Sequence, residues 1–80
     1  MDRKRRAARA VALRRVLRAI RLERGLTQKQ LAEQLDVPQS YVSKYEAGER
    51  RLDLVELEVV AEALGVALTT IVQRFESKLD

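Results

Sequence analysis

Four strong helix breakers punctuate this chain: Pro38 and the glycines at 25, 48 and 65. Between them apolar side chains recur at i, i+3 and i+4, while the alternating runs that a half-buried strand needs are nearly absent. Four breaks separate five helices, so the chain is expected to be all-α. Its 80 residues form one domain, 1–80. A core this small is marginal alone and calls for close helix packing or a second copy of the chain.

The first helix is expected from about Ala7 to Arg24, with Leu13, Val16, Leu17, Ile20 and Arg24 on one face and Gly25 closing it. Ahead of it stands a basic segment, residues 1–8, which either prolongs the helix or forms an arm. Arg3 to Arg6 have no apolar neighbours there and favour disorder when free. The second helix start is strongly marked. Thr27 and Gln30 form a capping box, and Leu26 with Leu31 makes a hydrophobic staple around it. Leu31, Ala32 and Leu35 then face the core. Asp36 takes the turn, because Asp tolerates the left-handed conformation better than most residues.

The third helix begins near Pro38, which suits a first turn, and ends at Gly48. Val42 and Tyr45 point inward, Tyr45 with its hydroxyl at the rim. Gln39, Ser40, Ser43 and Lys44 form a polar face. The fourth helix repeats the second's start: Asp53 caps, Glu56 sits three residues on, and Leu52 with Leu57 makes the staple. Leu57, Val60, Ala61 and Leu64 carry the stripe to Gly65. The fifth runs from about Leu68 to Lys78, with Leu68, Ile71, Val72, Phe75 and Leu79 on one face.

The chain has no Cys and no His. That excludes disulfides, Cys-bearing zinc sites and the Ser-His-Asp triad. The carboxylates are scattered over helix surfaces, so neither an enzyme nor a metal or cofactor is expected. No apolar run is long enough to span a bilayer, and the basic start lacks the apolar stretch of a secretory signal. The expected compartment is the cytoplasm. Charge is sharply divided. Residues 1–25 carry ten basic residues against two acids, a net +8, and residues 26–80 carry six against ten, a net −4. This asymmetry points to a polyanion partner, nucleic acid before a membrane surface.

Helices two and three are joined by the tight turn Leu35-Asp36-Val37-Pro38, a helix-turn-helix pattern. The stretch LTQKQLAEQLDVPQSYVSKYEAGERRLDLVELEVVAEALGV resembles the phage-repressor/Cro-like, or XRE-like, family of DNA-binding domains. Thr27-Gln28, Leu31-Ala32, Val42-Ser43-Lys44, Tyr45-Glu46-x-Gly48 and Ala61-x-x-Leu64-Gly65-Val66 all sit at the family's spacing. The resemblance covers residues 13–72 and leaves 73–80 as the end of the last helix. It implies a lambda-repressor-like five-helix bundle whose third helix enters the major groove while the second lies over it.

Carried over position by position, the resemblance implies base readout by Gln39, Ser40, Ser43 and Lys44. It implies phosphate contacts at Gln28, with Lys29 beside it, and at Tyr41, Arg50 and Arg51. Arg21 and Glu46 match a partly buried ion pair between the first and third helices. Four features depart from the family pattern. Pro38 replaces a frequent Ser or Thr and removes a cap hydrogen bond. Asp36 replaces Gly in the turn. Leu22 stands where a polar residue is usual. The basic segment 1–8 extends past the family core.

The chemistry fits those roles. Gln39 can bond adenine bidentately, Lys44 can donate to guanine, and serines are permissive partners. Tyr41 touches a phosphate or a thymine methyl, or simply covers the helix surface. The expected function is a sequence-specific regulator of double-stranded DNA in the nucleoid, repressing or autoregulating a promoter as a homodimer on an inverted repeat. Val72, Phe75 and Leu79 are expected to form its two-fold contact. So short a chain leaves no room for a separate ligand domain, so control is expected from protein concentration or from a partner, such as a toxin or an RNA polymerase subunit. The rival reading is a protein-interaction module, such as a toxin-neutralising antitoxin, that presents Leu22, Phe75 and Leu79 and binds DNA only secondarily. A membrane-surface helix is disfavoured, because the apolar positions of the first helix are needed by the bundle.

Overall fold

The computed structural model describes residues 2–79. Five helices follow one another: α1 Arg3–Glu23, α2 Gln28–Leu35, α3 Gln39–Ala47, α4 Leu54–Leu64 and α5 Leu68–Ser77. There is no strand among the described residues. Most boundaries have a local chemical cause. Thr27 accepts from the Gln30 N–H at 3.0 Å while the Gln30 side chain accepts from the Thr27 N–H at 2.9 Å. Asp53 and Glu56 close the same reciprocal box at the start of α4, at 2.7 and 2.9 Å. Each box satisfies amide groups that a helix start leaves without partners.

α1 begins four residues earlier than the apolar pattern implied. Residues 3–8 prolong the helix, with Asp2 as its cap accepting from the Lys4 N–H at 2.8 Å. Arg and Ala are strong helix formers, so a single cap suffices to carry the helix past its last core contact. Met1 and Asp80, at the ends of the expected arm and final helix, lie outside the described residues.

The turn between α2 and α3 is closed by Asp36 in the left-handed region, at φ 56°. The Val37 N–H then reaches back to the Ala32 carbonyl at 3.1 Å, the bond that ends a helix in a Schellman turn. Pro38 lies just outside α3 rather than in its first turn. It caps the helix at φ −63° and ψ 152° and makes no side-chain cap bond. The fixed ring angle replaces a missing hydrogen bond with a stiffened approach.

All five helices contribute to one core. Val16, Leu17 and Ile20 of α1 meet Leu31 and Ala32 of α2, Val42 and Tyr45 of α3, Val60, Ala61 and Leu64 of α4, and Ile71 of α5. Burying a Val, Leu or Ile side chain fully stabilises by roughly 1.5–3 kcal/mol. Val42 and Tyr45 anchor α3 from one side only, which leaves its opposite face in solvent.

Tyr45 departs from expectation at its tip. The residue is only 3% exposed, and its hydroxyl is buried without a hydrogen-bond partner among the described residues. The ring lies edge-on to Tyr41, with centroids 6.1 Å apart. Burial pushes the Tyr45 pKa far above its ordinary value, so the hydroxyl stays protonated and is a donor without an acceptor. α1 packs against α3, and its Leu17 belongs to the same buried cluster as Tyr45. An unsatisfied buried polar group is costly. Tyr45→Phe is therefore expected to raise stability by about 1 kcal/mol, seen as a higher urea midpoint with an unchanged slope.

Candidate nucleic-acid interface

The outer face of α3 carries Gln39, Ser40 and Lys44, all exposed. Their side chains make no hydrogen bond or ion pair among the described residues. Ser43 is half-buried, and its hydroxyl donates to the Ser40 carbonyl at 3.2 Å. It is thus partly committed to its own helix. Lys29 and Arg51 are exposed and equally without intramolecular partners among the described residues.

Two networks hold this face in place. In the first, Arg21 meets Glu46 as a two-pronged pair, Nε to Oε2 at 2.7 Å and Nη2 to Oε1 at 2.9 Å. Both side chains are nearly sealed, at 7% and 3% exposure. The third guanidinium nitrogen, Nη1, donates to the Leu26 carbonyl at 2.8 Å. The bond to Glu46, opposed by burial, holds the Arg21 pKa above its ordinary value. Gln28 joins this network. Its Nε2 donates to Glu46 Oε1 at 3.1 Å. The start of α2 and the last turn of α3 are therefore fastened through one carboxylate. Glu46 lies near a helix C-terminus, a poor place for an anion, and the cation on α1 compensates.

The second network gathers Tyr41, Arg50 and Glu56. Arg50 donates to Glu56 Oε2 at 2.7 Å, and the Tyr41 hydroxyl donates to the same oxygen at 3.1 Å. The Arg50 guanidinium also lies 4.3 Å from the centre of the Tyr41 ring, a cation–π contact. The Asp53 N–H, and after it Arg50, holds the Glu56 carboxyl below its ordinary pKa. Tyr41 and Arg50 thus sit together, and Glu56 fixes where the Arg50 charge points. Arg50 keeps further N–H donors for a second acceptor, since a guanidinium carries five.

Sequence reasoning missed a set of arginine contacts made from α1 and its C-cap Arg24. Arg14 donates to the Ala47 carbonyl at 2.7 Å, at the end of α3. Arg24 donates to the Leu64 and Gly65 carbonyls at 2.9 and 2.7 Å, at the end of α4. Each supplies a cation and donors to a helix C-terminus, which lacks both. Gly48 fits this arrangement twice over. Its φ of 83° is left-handed, and a Cβ there would collide with the Arg14 guanidinium. The available signal was angular: Arg14 and Arg21 border the apolar stripe and Arg24 lies within it, rather than on the outer face. Arg74 and Glu23 add an exposed pair between α5 and α1, at 2.9 and 2.6 Å.

Val72 and Phe75 lie on α5 and Leu79 just past its end; Val72 is exposed, whereas Phe75 and Leu79 are half-buried. Phe75 shares an open groove with Ala7 and Ala10 of α1. Among the described residues, no three His, Cys, Asp or Glu side chains are placed to hold a metal ion. No described helix is long and apolar enough to cross a membrane.

A short turn, a helix anchored by one face and an uncommitted polar face opposite define a helix-turn-helix DNA-binding protein. The helix-turn-helix family model matches residues 17–71. The chain is 45% identical over 56 residues to the immunity repressor protein of Bacillus phage phi105, covering 70% of this chain and 39% of that one. It thus spans about two-fifths of that relative. It is 33% identical over 63 residues to the control protein C.MunI of Mycoplasma sp, covering 78% of this chain and 85% of that one. A solved XRE-family like protein from Pseudomonas syringae pv. tomato str. DC3000 superposes with a TM-score of 0.88 at 36% identity, covering 96% and 94% of the two chains. The chain belongs to the XRE-like helix-turn-helix family, a family of DNA-binding regulators without catalytic activity.

Glu46→Gln and Arg21→Met are each expected to destabilise the fold by about 3 kcal/mol, because each leaves one buried charge alone. The double variant should lose less than the sum. Urea unfolding of the four proteins measures the coupling, and additive losses would show the pair to be energetically independent.

Proposed function

We propose that this chain is a sequence-specific, homodimeric regulator of transcription, which represses or autoregulates a promoter by occupying an inverted repeat in double-stranded DNA. The observation that carries this reading is the uncommitted face of α3. Gln39, Ser40 and Lys44 expose donors and acceptors that satisfy nothing within the described fold. The helix beneath them is held by buried Val42 and Tyr45. Gln39 and Lys44 then read base edges, with Ser40 and Ser43 as adaptable partners. Gln28, Lys29, Tyr41, Arg50 and Arg51 take backbone phosphates and set the register of α3 in the groove. The similarity to a phage immunity repressor and to a control protein supports the same assignment.

One helix of nine residues buries too little surface for specific affinity. Two copies on successive major grooves overcome this, and two-fold symmetry then requires an inverted repeat. Apolar surface for the pairing exists: Leu54, Val55, Val59 and Val72 are exposed on α4 and α5. Phe75 and Leu79 flank Val72 as half-buried supports of the same contact. Val72→Glu is therefore expected to sediment as a monomer with its helix content intact. A dimer of unchanged mass would remove α5 from the interface.

Selection of bound duplexes from a random pool tests the reading as a whole. An enriched inverted repeat is expected, and failure to enrich any sequence would overturn the assignment. On the recovered duplex, Gln39→Ala and Lys44→Ala should each cost about 1–3 kcal/mol and relax the preference at one position. Gln28→Ala and Arg50→Ala should weaken selected and random duplexes alike. Equal losses on both for Lys44→Ala would reassign Lys44 to the backbone.

A further inference from the structure

α1 is 21 residues long, about 31 Å at the helical rise, against a longest molecular dimension of 36 Å. The side chains that it buries begin only at Val16. At about 100° per residue, Arg3 and Arg6 point within about 40° of the direction of Leu17, so they continue its inward face. At that height the core has ended. They instead line an open groove whose far wall is the segment after α3, including Arg50 and Arg51. Arg9 and Arg14 line it as well, and no carboxylate does.

This arrangement works against the helix that carries it. Arg3, Lys4, Arg5, Arg6 and Arg9 crowd the first turns, and the first turn contains no acid. Cations at a helix N-terminus oppose the macrodipole. Arg3 with Arg6, and Arg5 with Arg9, are like charges at neighbouring positions on the helix surface. Asp2 is occupied as the cap. Arg3, Arg6 and Arg9 form no ion pair among the described residues, whose three pairs lie elsewhere. An anion from outside would relieve this repulsion.

We propose that the amino-terminal half of α1 is a second DNA-contacting element. Arg3, Arg6 and Arg9, with Arg51 across the groove, take backbone phosphates of the duplex flanking the base pairs read by α3. The inference rests on the α3 reading above and adds a separate, sequence-independent contact to it. The groove opens beside Arg50, at the end of α3, which places the cations along the duplex that α3 engages. The groove is also lined by Leu13, Leu52 and Phe75; it is the place of these arginines beside α3 that favours a duplex over a lipid surface.

The test compares the wild type with the triple variant Arg3→Gln, Arg6→Gln, Arg9→Gln. Gln keeps the helix propensity, and circular dichroism should show an unchanged or higher thermal midpoint. The probe is the duplex recovered by selection, in its long form and trimmed to the base pairs read by α3. Trimming should weaken wild-type binding and leave the triple variant unaffected. The slope of log affinity against log salt should become shallower by about 0.9 for each phosphate no longer neutralised, with the ranking of sequences unchanged. Amide exchange over residues 3–11 should slow when the wild type binds the long duplex. Wild-type affinity and slope in the triple variant would overturn the inference and leave the α3 reading intact. Slowing by phosphatidylserine vesicles but not by the duplex would overturn it in favour of a lipid partner. Absence of all duplex binding by the wild type itself would overturn both.

Discussion

Arg21 is buried together with its partner Glu46, and four stretches of chain converge on it. It belongs to α1, binds the carbonyl of Leu26 in the following loop, pairs with Glu46 on α3 and, through that carboxylate, reaches Gln28 on α2. Desolvating a guanidinium and a carboxylate costs several kcal/mol per ion, so the pair adds little net stability. Its effect is geometric. Two parallel bonds admit one orientation of α3 about its own axis, and that orientation decides which side chains face outward. A core of Val, Leu and Ile tolerates small rotations and repacking; a two-pronged ion pair does not.

The arginines of α1 fall into classes that net charge hides. Arg14, Arg21 and Arg24 are spent inside the molecule, on the ends of α3 and α4 and on Glu46. Arg15 and Arg18 are exposed on the side away from the core. Arg3, Arg6 and Arg9 follow the inward side beyond the point where the bundle stops. A positive N-terminal segment is therefore partly a set of internal contacts, and only its remainder is available to an external polyanion.

Helix boundaries were legible because their causes are local. The Thr27–Gln30 and Asp53–Glu56 boxes and the left-handed Asp36 each need only a few consecutive residues. The contacts that escaped sequence reasoning join residues far apart in the chain. Arg14 to Ala47 spans 33 positions, and Arg24 to Leu64 spans 40. No spacing rule encodes such a pair. The Arg21–Glu46 pair, 25 positions apart, came into view only through the family resemblance. The sealed Tyr45 hydroxyl escaped for a related reason: its depth depends on how the helices pack against one another, which periodicity along any one helix leaves undetermined. The start of α1 was misplaced because apolar periodicity locates where a helix packs, whereas caps and propensity decide where it ends.

α3 divides its labour between two sides. Val42, Tyr45 and Glu46 hold the helix to the bundle, while the side chains of Gln39, Ser40 and Lys44 are exposed and make no hydrogen bond or ion pair in the described fold. Exchanging the outward residues therefore changes neither the core nor the ion pair. On the proposed reading, exchanges at these three positions that keep helix propensity would change the target sequence with little effect on folding stability. The same separation makes the domain a chassis for re-specification: the outer positions of one nine-residue helix can be varied together among good helix formers without disturbing the side that holds it to the bundle.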